Sequence, residues 1–202
     1  MAGFFEEGPQ GLLPRGSFNV RVKYEGDWIK FNALLRNSDL LLAAAARTGQ
    51  RTFAERYRDA VKENMNNGGK RFGYAPMAPD YAAFKSRKGG GGKLFTWSGA
   101  MIESVQVMNN SEQTRFMVGI EKGQKRPEYY SGDANNLDID EYANALEHGY
   151  ATRGVYVEPR PVFSDTFRFT MGGKEGIRKY IEAAIVGKLL TKGIRVSKKF
   201  AR

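Results

Sequence analysis

The chain contains no cysteine and a single histidine, His148. The first absence excludes disulfides, thiol nucleophiles and thiolate metal sites. The second excludes a zinc centre built on several imidazoles. Long apolar runs are missing as well. The longest, Leu40 to Ala46, falls far short of the roughly 20 residues that a bilayer-crossing helix needs, so no membrane partner is expected. Met1 to Arg15 lacks a cationic start followed by an apolar stretch, which predicts no secretory signal and synthesis in the cytoplasm.

What is present is a globular composition with a strong charge imbalance. The 202 residues are 41% hydrophobic and 12% aromatic, enough for a folded core in one domain. Lysine and arginine exceed the acids by ten, giving a net charge of +10. Such an excess predicts affinity for something acidic, whether nucleic acid or the face of a partner protein, and is silent about fold.

Residues 1–16 read as an extended N-terminal arm. Gly3, Gly8, Pro9, Gly11, Pro14 and Gly16 break regular structure, yet Phe4, Phe5, Leu12 and Leu13 are apolar. An arm of this kind either packs on its own domain or docks on a neighbouring subunit. A single domain is expected over 17–190. It opens with an alternating strand, Phe18, Val20, Val22 and Tyr24 on one face.

The clearest helical signal follows. Asn37 or Ser38 can cap it, and Leu42, Ala46, Gly49, Phe53, Tyr57, Val61 and Met65 recur at spacings of three or four. Asn66-Asn67-Gly68-Gly69 ends it. A long loop, 68–96, is expected next, with a short helix from Asp80 to Arg87 inside it. A helical turn at Ser98 to Ser104 leads to strands at Val105–Asn109 and Arg115–Glu121. An irregular insertion at 122–138 precedes a helix from Ile139 to His148. The chain is then extended through Val155 and Val157. A helix over Phe163–Phe169 and a terminal one over Glu175–Leu190 follow, before a basic tail at 191–202. The fold class predicted is α+β: a small, mainly antiparallel sheet packed by the long amphipathic helix and the C-terminal helix, with long loops and the arm.

Motifs for chemistry fail on inspection. Gly92-Lys93 mimics the end of a phosphate loop, but Arg87 stands where its first glycine belongs and Leu94 where a hydroxyl must hold magnesium. Asp133 to Asp138 begins like a calcium loop, but it lacks the glycine at the sixth position and has Asn144 at the twelfth, where a bidentate glutamate is needed. Glu147-His148 is an acid beside a base, yet His148 precedes Gly149, where histidine usually satisfies the last carbonyls of a helix. No catalytic residue, cofactor or metal is assigned, and the chain is not expected to be an enzyme.

Basic residues gather at Lys85, Arg87, Lys88 and Lys93 around the glycine run, and at Lys192, Arg195, Lys198, Lys199 and Arg202 in the tail. Tyr81, Phe84, Phe95 and Trp97 lie among the first group and would suit a nucleic-acid surface. Equally, charge runs are usually solvated faces and loop aromatics usually pack. Non-specific nucleic-acid binding through the loop and tail is the alternative function.

Three stretches, taken in order, resemble the virion-morphogenesis and tail-completion family of long-tailed phages. The first is Tyr81 and Lys85 followed by Leu94-Phe95-Thr96-Trp97-Ser98-Gly99-Ala100-Met101-Ile102-Glu103-Ser104-Val105. The second is Tyr142-Ala143 with Leu146-Glu147-His148-Gly149, and the third Pro159-Arg160-Pro161-Val162-Phe163. With the long helix before them and the terminal helix after them, the resemblance covers Leu40 to Leu190. Met101 departs from the family's leucine, Val162 separates Pro161 from Phe163, and the arm and insertion are additional. Those departures leave open whether the layer is a tail-completion ring, a head-closure stopper or a tail terminator. The resemblance implies a structural virion protein of the phage neck, assembled in the host cytoplasm. It implies a homo-oligomeric ring, a hexamer, joining the head connector or stopper to the tail terminator or tail tube, with genomic DNA passing through. Under that reading the subunit contacts fall to Phe4, Phe5, Leu12, Leu13, Lys85, Arg87, Lys88, Lys93, Tyr129 and Tyr130. Contacts to DNA or an acidic partner fall to Lys192, Arg195, Lys198, Lys199 and Arg202.

Overall fold

A computed structural model describes Arg36 and residues 38–87, 94–95, 99–109, 115–124, 138–152 and 155–192. The first strand expected, near Ser17 to Tyr24, lies outside them, as do the N-terminal arm, most of the 122–138 insertion and the tail beyond Lys192.

The fold is α+β and mostly helical. Helix α1 runs over Ser38–Asn66. Asp39 sits in its first turn, where the helix dipole favours a carboxylate. Gly68 and Gly69 close it, both at φ 66. Their amides donate back to the carbonyls of Met65 (2.9 Å) and Asn64 (2.8 Å), the glycine-terminated ending expected from the sequence. Its buried side carries Ala45, Gly49, Phe53, Val61 and Met65. Ala45 is buried where the periodicity favoured Ala46, because the covering helix meets α1 slightly to one side.

After the 3-10 turn Lys70–Phe72, α2 spans Pro79–Arg87 and α3 spans Ala100–Glu103. Pro79 begins α2, where its missing N–H has no partner to lose. Strands β1, Val105–Asn109, and β2, Phe116–Ile120, pair antiparallel with Val105 opposite Ile120 and Val107 opposite Val118. Helix α4 covers Ile139–His148, opened by a capping box between Asp138 and Glu141. A second antiparallel ribbon follows, β3 (Tyr150–Thr152) with β4 (Val155–Val157). The described strands therefore make two separate hairpin-like sheets.

The helix expected over Phe163–Phe169 is two pieces: α5, Val162–Asp165, and a π-helical turn over Thr166–Thr170. The widened turn is tied to a distant residue. Asn64, buried on α1, donates through Nδ2 to Thr166 Oγ1 at 2.9 Å and to Thr170 Oγ1 at 3.4 Å. Pro161 caps α5 from just outside it, one position earlier than the sequence suggested, and its carbonyl accepts from Asp165 at 2.8 Å.

Helix α6, Gly173–Thr191, lies mainly along α1. Gly49 touches the backbone of Tyr180 and Ile181, while Phe53 meets Gly176 and, at 5.6 Å between ring centroids, Tyr180. Residue numbers rise on α1 as they fall on α6, so the pair is antiparallel. The other half of α1 supports the main core, where Val61 and Met65 join Met101, Ile102, Val105, Ile139, Ala143, Leu146 and Val162. Among the described residues no helix is long and apolar enough to cross a membrane.

Candidate assembly surface

The first of the three stretches singled out in the sequence lies well before the other two in the chain, and all three meet in space. Met101, Ile102 and Val105 from the first, Ala143 and Leu146 from the second, and Val162 from the third share one core with α1. The second and third are also joined by hydrogen bonds. Arg160 N–H donates to the Leu146 carbonyl at 2.7 Å. The Glu147 carboxylate accepts from the amides of Phe163 (3.1 Å) and Ser164 (2.8 Å). Those amides are free donors at the start of α5, and Pro161 brings no side-chain acceptor to satisfy them. A carboxylate from another helix does it instead, on the end of the dipole that prefers negative charge.

Two tyrosines fasten α5 from the opposite side. Tyr57 donates to the Phe163 carbonyl and Tyr74 to Asp165 Oδ2, each at 2.9 Å. Burial, helped by the nearby Glu147, raises the Tyr57 hydroxyl well above the usual tyrosine value. Burial and then Asp165 and Glu147 do the same to Tyr74. A phenol that stays protonated when folded but ionises when unfolded stabilises the fold below its unfolded pKa and loses that contribution as pH rises further. The denaturant midpoint is therefore expected to hold up to about pH 10.0, the ordinary tyrosine value, and to fall beyond it. Tyr57→Phe and Tyr74→Phe should each cost about 1 kcal/mol at neutral pH and flatten the alkaline decline. A decline of the same slope in the double variant would exclude these two groups as its cause.

His148 performs the duty its position suggested. Its Nδ1, which must carry the proton to do so, donates to the Asn144 carbonyl at 3.0 Å in the last turn of α4. Among the described residues no group of three or more histidines, cysteines or carboxylates could hold a metal ion.

The basic cluster is divided. Arg87 is exposed at the end of α2, and Lys192 is exposed just past α6. Lys85 is not a surface cation: only 2% of it is exposed, and burial together with the neighbouring Arg160 lowers its pKa. Lys85 points inward from α2 toward Met77, while Arg87 on the opposite face and Tyr81 and Phe84 remain exposed. Arg160 donates to the Ala75 carbonyl at 3.4 Å and keeps its Nε buried without a hydrogen-bond partner. Phe95 is core, with its ring edge-on to Tyr74 at 6.0 Å, and is not offered to a base. Phe4, Phe5, Leu12, Leu13, Lys88, Lys93, Trp97, Tyr129, Tyr130, Arg195, Lys198, Lys199 and Arg202 lie outside the described residues.

A surface that sequence reading passed over lies between β2 and α4. Val118, Ile120, Ala143 and Phe163 line a groove there, together with Asp140, Asn144 and Glu147. From Asp138 to Gly149 the chain has four acids (Asp138, Asp140, Glu141 and Glu147) and neither lysine nor arginine. In a chain of charge +10 that local inversion was the available signal. Compared with known protein families, curated proteins and solved structures, the chain matches none.

Proposed function

We propose that the chain is a structural protein of a phage virion, forming a ring in the neck that joins the head connector to the tail. The observation that supports this reading is the convergence just described. The stretches that resemble the tail-completion family supply one shared core and one interlocking cap, as parts of a single framework would. Their burial also says what they are for: they hold the frame. Contact with other subunits then falls to the exposed and peripheral segments, and the basic excess serves acidic neighbours or the DNA passing through the lumen.

Electron microscopy of purified particles tests this, with the chain located by antibody against residues 1–16. Label at the head–tail junction and closed rings of the purified protein are the expected results. A chain that stays monomeric alone and with neck proteins, and is absent from that junction, sinks the proposal. The nucleic-acid reading draws on Tyr81, Phe84 and Arg87, which α2 leaves exposed, but loses Lys85 and Phe95 to the interior. Retention of short duplexes that falls steeply with salt and disappears on removing residues 192–202, without any rings, would revive it.

A further inference from the structure

The groove between β2 and α4 is open to solvent and has a volume of about 220 Å³. That is below the roughly 300–1,000 Å³ usual for small-molecule sites, but it has room for a side chain or two from a peptide laid across it. Its lining is apolar at Val118, Ile120, Ala143 and Phe163 and acidic at Asp140 and Glu147. An occupant should therefore join an apolar side chain to several positive charges. The chain carries such a segment: Lys192 to Arg202 holds five cations and no acid, and Phe200 lies between Lys199 and Arg202.

The antiparallel pairing of α1 and α6 decides whose segment it can be. Ile181 lies against Gly49, and Tyr57, two turns further along α1, hydrogen-bonds the Phe163 backbone beside the groove. Helix α6 runs the other way and ends at Thr191. At the usual helical rise the end of α6 and the groove are about 27 Å apart along the axes. The stretch from Thr191 to Phe200 spans about 30 Å when fully extended. A chain's own tail could bring Phe200 to the groove only by running almost straight, with no slack to follow the surface. A second copy has no such limit.

We propose that this groove holds the basic C-terminal segment of a second copy of the chain, with Phe200 in the apolar part and the flanking cations facing Asp140 and Glu147. Donor and acceptor surfaces then differ and sit at opposite ends of one subunit. That is the requirement for a head-to-tail contact that closes into a ring. The inference deepens the ring reading and rests on it for closure alone.

The absence of cysteine makes the test clean. Full-length chains carrying Asn144→Cys are mixed with full-length chains carrying Ala201→Cys and mildly oxidised, each variant first checked for folding by circular dichroism. The expected product is the mixed disulfide dimer, well beyond the twofold excess over either symmetric dimer that random pairing of equal amounts gives. Adding Lys198→Glu and Lys199→Glu to the second chain should lower its yield about tenfold, the scale of reversing two rim charges, and raised salt should lower it further. A 1:2:1 mixture of the three dimers, no dimer at all, or, in one chain carrying both cysteines, an internal disulfide alone would each overturn the inference. Rings seen by microscopy without the mixed disulfide leave the ring reading standing and remove this contact from it. The mixed disulfide without rings does the reverse.

Discussion

Gly49→Leu should lower the stability of the fold by roughly 3 kcal/mol or more, the upper range for overpacking. A Cβ at position 49 would stand 2.6 Å from Ile181 Cα and 2.8 Å from the Tyr180 carbonyl oxygen. Both are backbone atoms, so no side chain can swing aside and the helices themselves must separate. Separation withdraws Phe53 from Tyr180 and from Phe167, whose rings meet it nearly edge-on at 5.6 and 6.1 Å. Gly49→Ala is expected to lose less, because the better helix propensity of alanine returns up to about 1 kcal/mol. Gly187 provides the control within α6. A methyl group there meets no described atom within 4 Å, so Gly187→Ala should stabilise by up to about 1 kcal/mol. Thermal unfolding followed by circular dichroism orders the three. A leucine variant that melts with the parent would mean that α1 and α6 do not cross at Gly49.

Glu147→Ala should cost about 2–3 kcal/mol, the sum of two charge-assisted hydrogen bonds and the exposure of two amides without partners. Glu147 joins α4 to the start of α5, and α5 carries Val162 into the core and Asp165 to Tyr74. Glu147→Gln keeps one acceptor oxygen and should lose about half as much. Urea unfolding gives the magnitudes. Hydrogen exchange at Phe163 and Ser164 gives the location, because both amides should lose protection in the alanine variant before the rest of the fold opens. Unchanged exchange at those two positions would show that the cap is supplied from elsewhere.

Much of the fold was legible in the residues. The long helix needed only its periodicity and its two closing glycines. Strands β1 and β2 needed short runs of strand-forming residues, and α4 needed an aspartate at its start, Asp138 or Asp140, and Gly149 at its end. Each of these signals is local, set by neighbours within a turn or two. The signals that failed were decided at a distance. Lys85 belongs to a basic run by sequence, yet it is buried near Arg160, which lies far along the chain. The widened turn at Thr166–Thr170 answers to Asn64, about a hundred positions earlier in the chain. No local window contains that partner.

The candidate surface was legible only in part. The cationic tail stood out because charge can be counted, and the acidic stretch from Asp138 to Glu147 could have been noticed in the same way. Whether the stretch formed a site depended on what lay beside it. Only folding brought β2 alongside α4 and Phe163 under Glu147.

The sequence by itself determined the long helix, α4, α6, strands β1 and β2, the lack of cysteine and the excess of positive charge, since composition and short-range spacing suffice for those. Tertiary structure alone decided which faces are buried, which helix caps which, and that the acidic groove and the end of α6 lie at opposite ends of the subunit. Burial and charge complementarity depend on distances in space, and distant positions acquire a distance only when the chain folds.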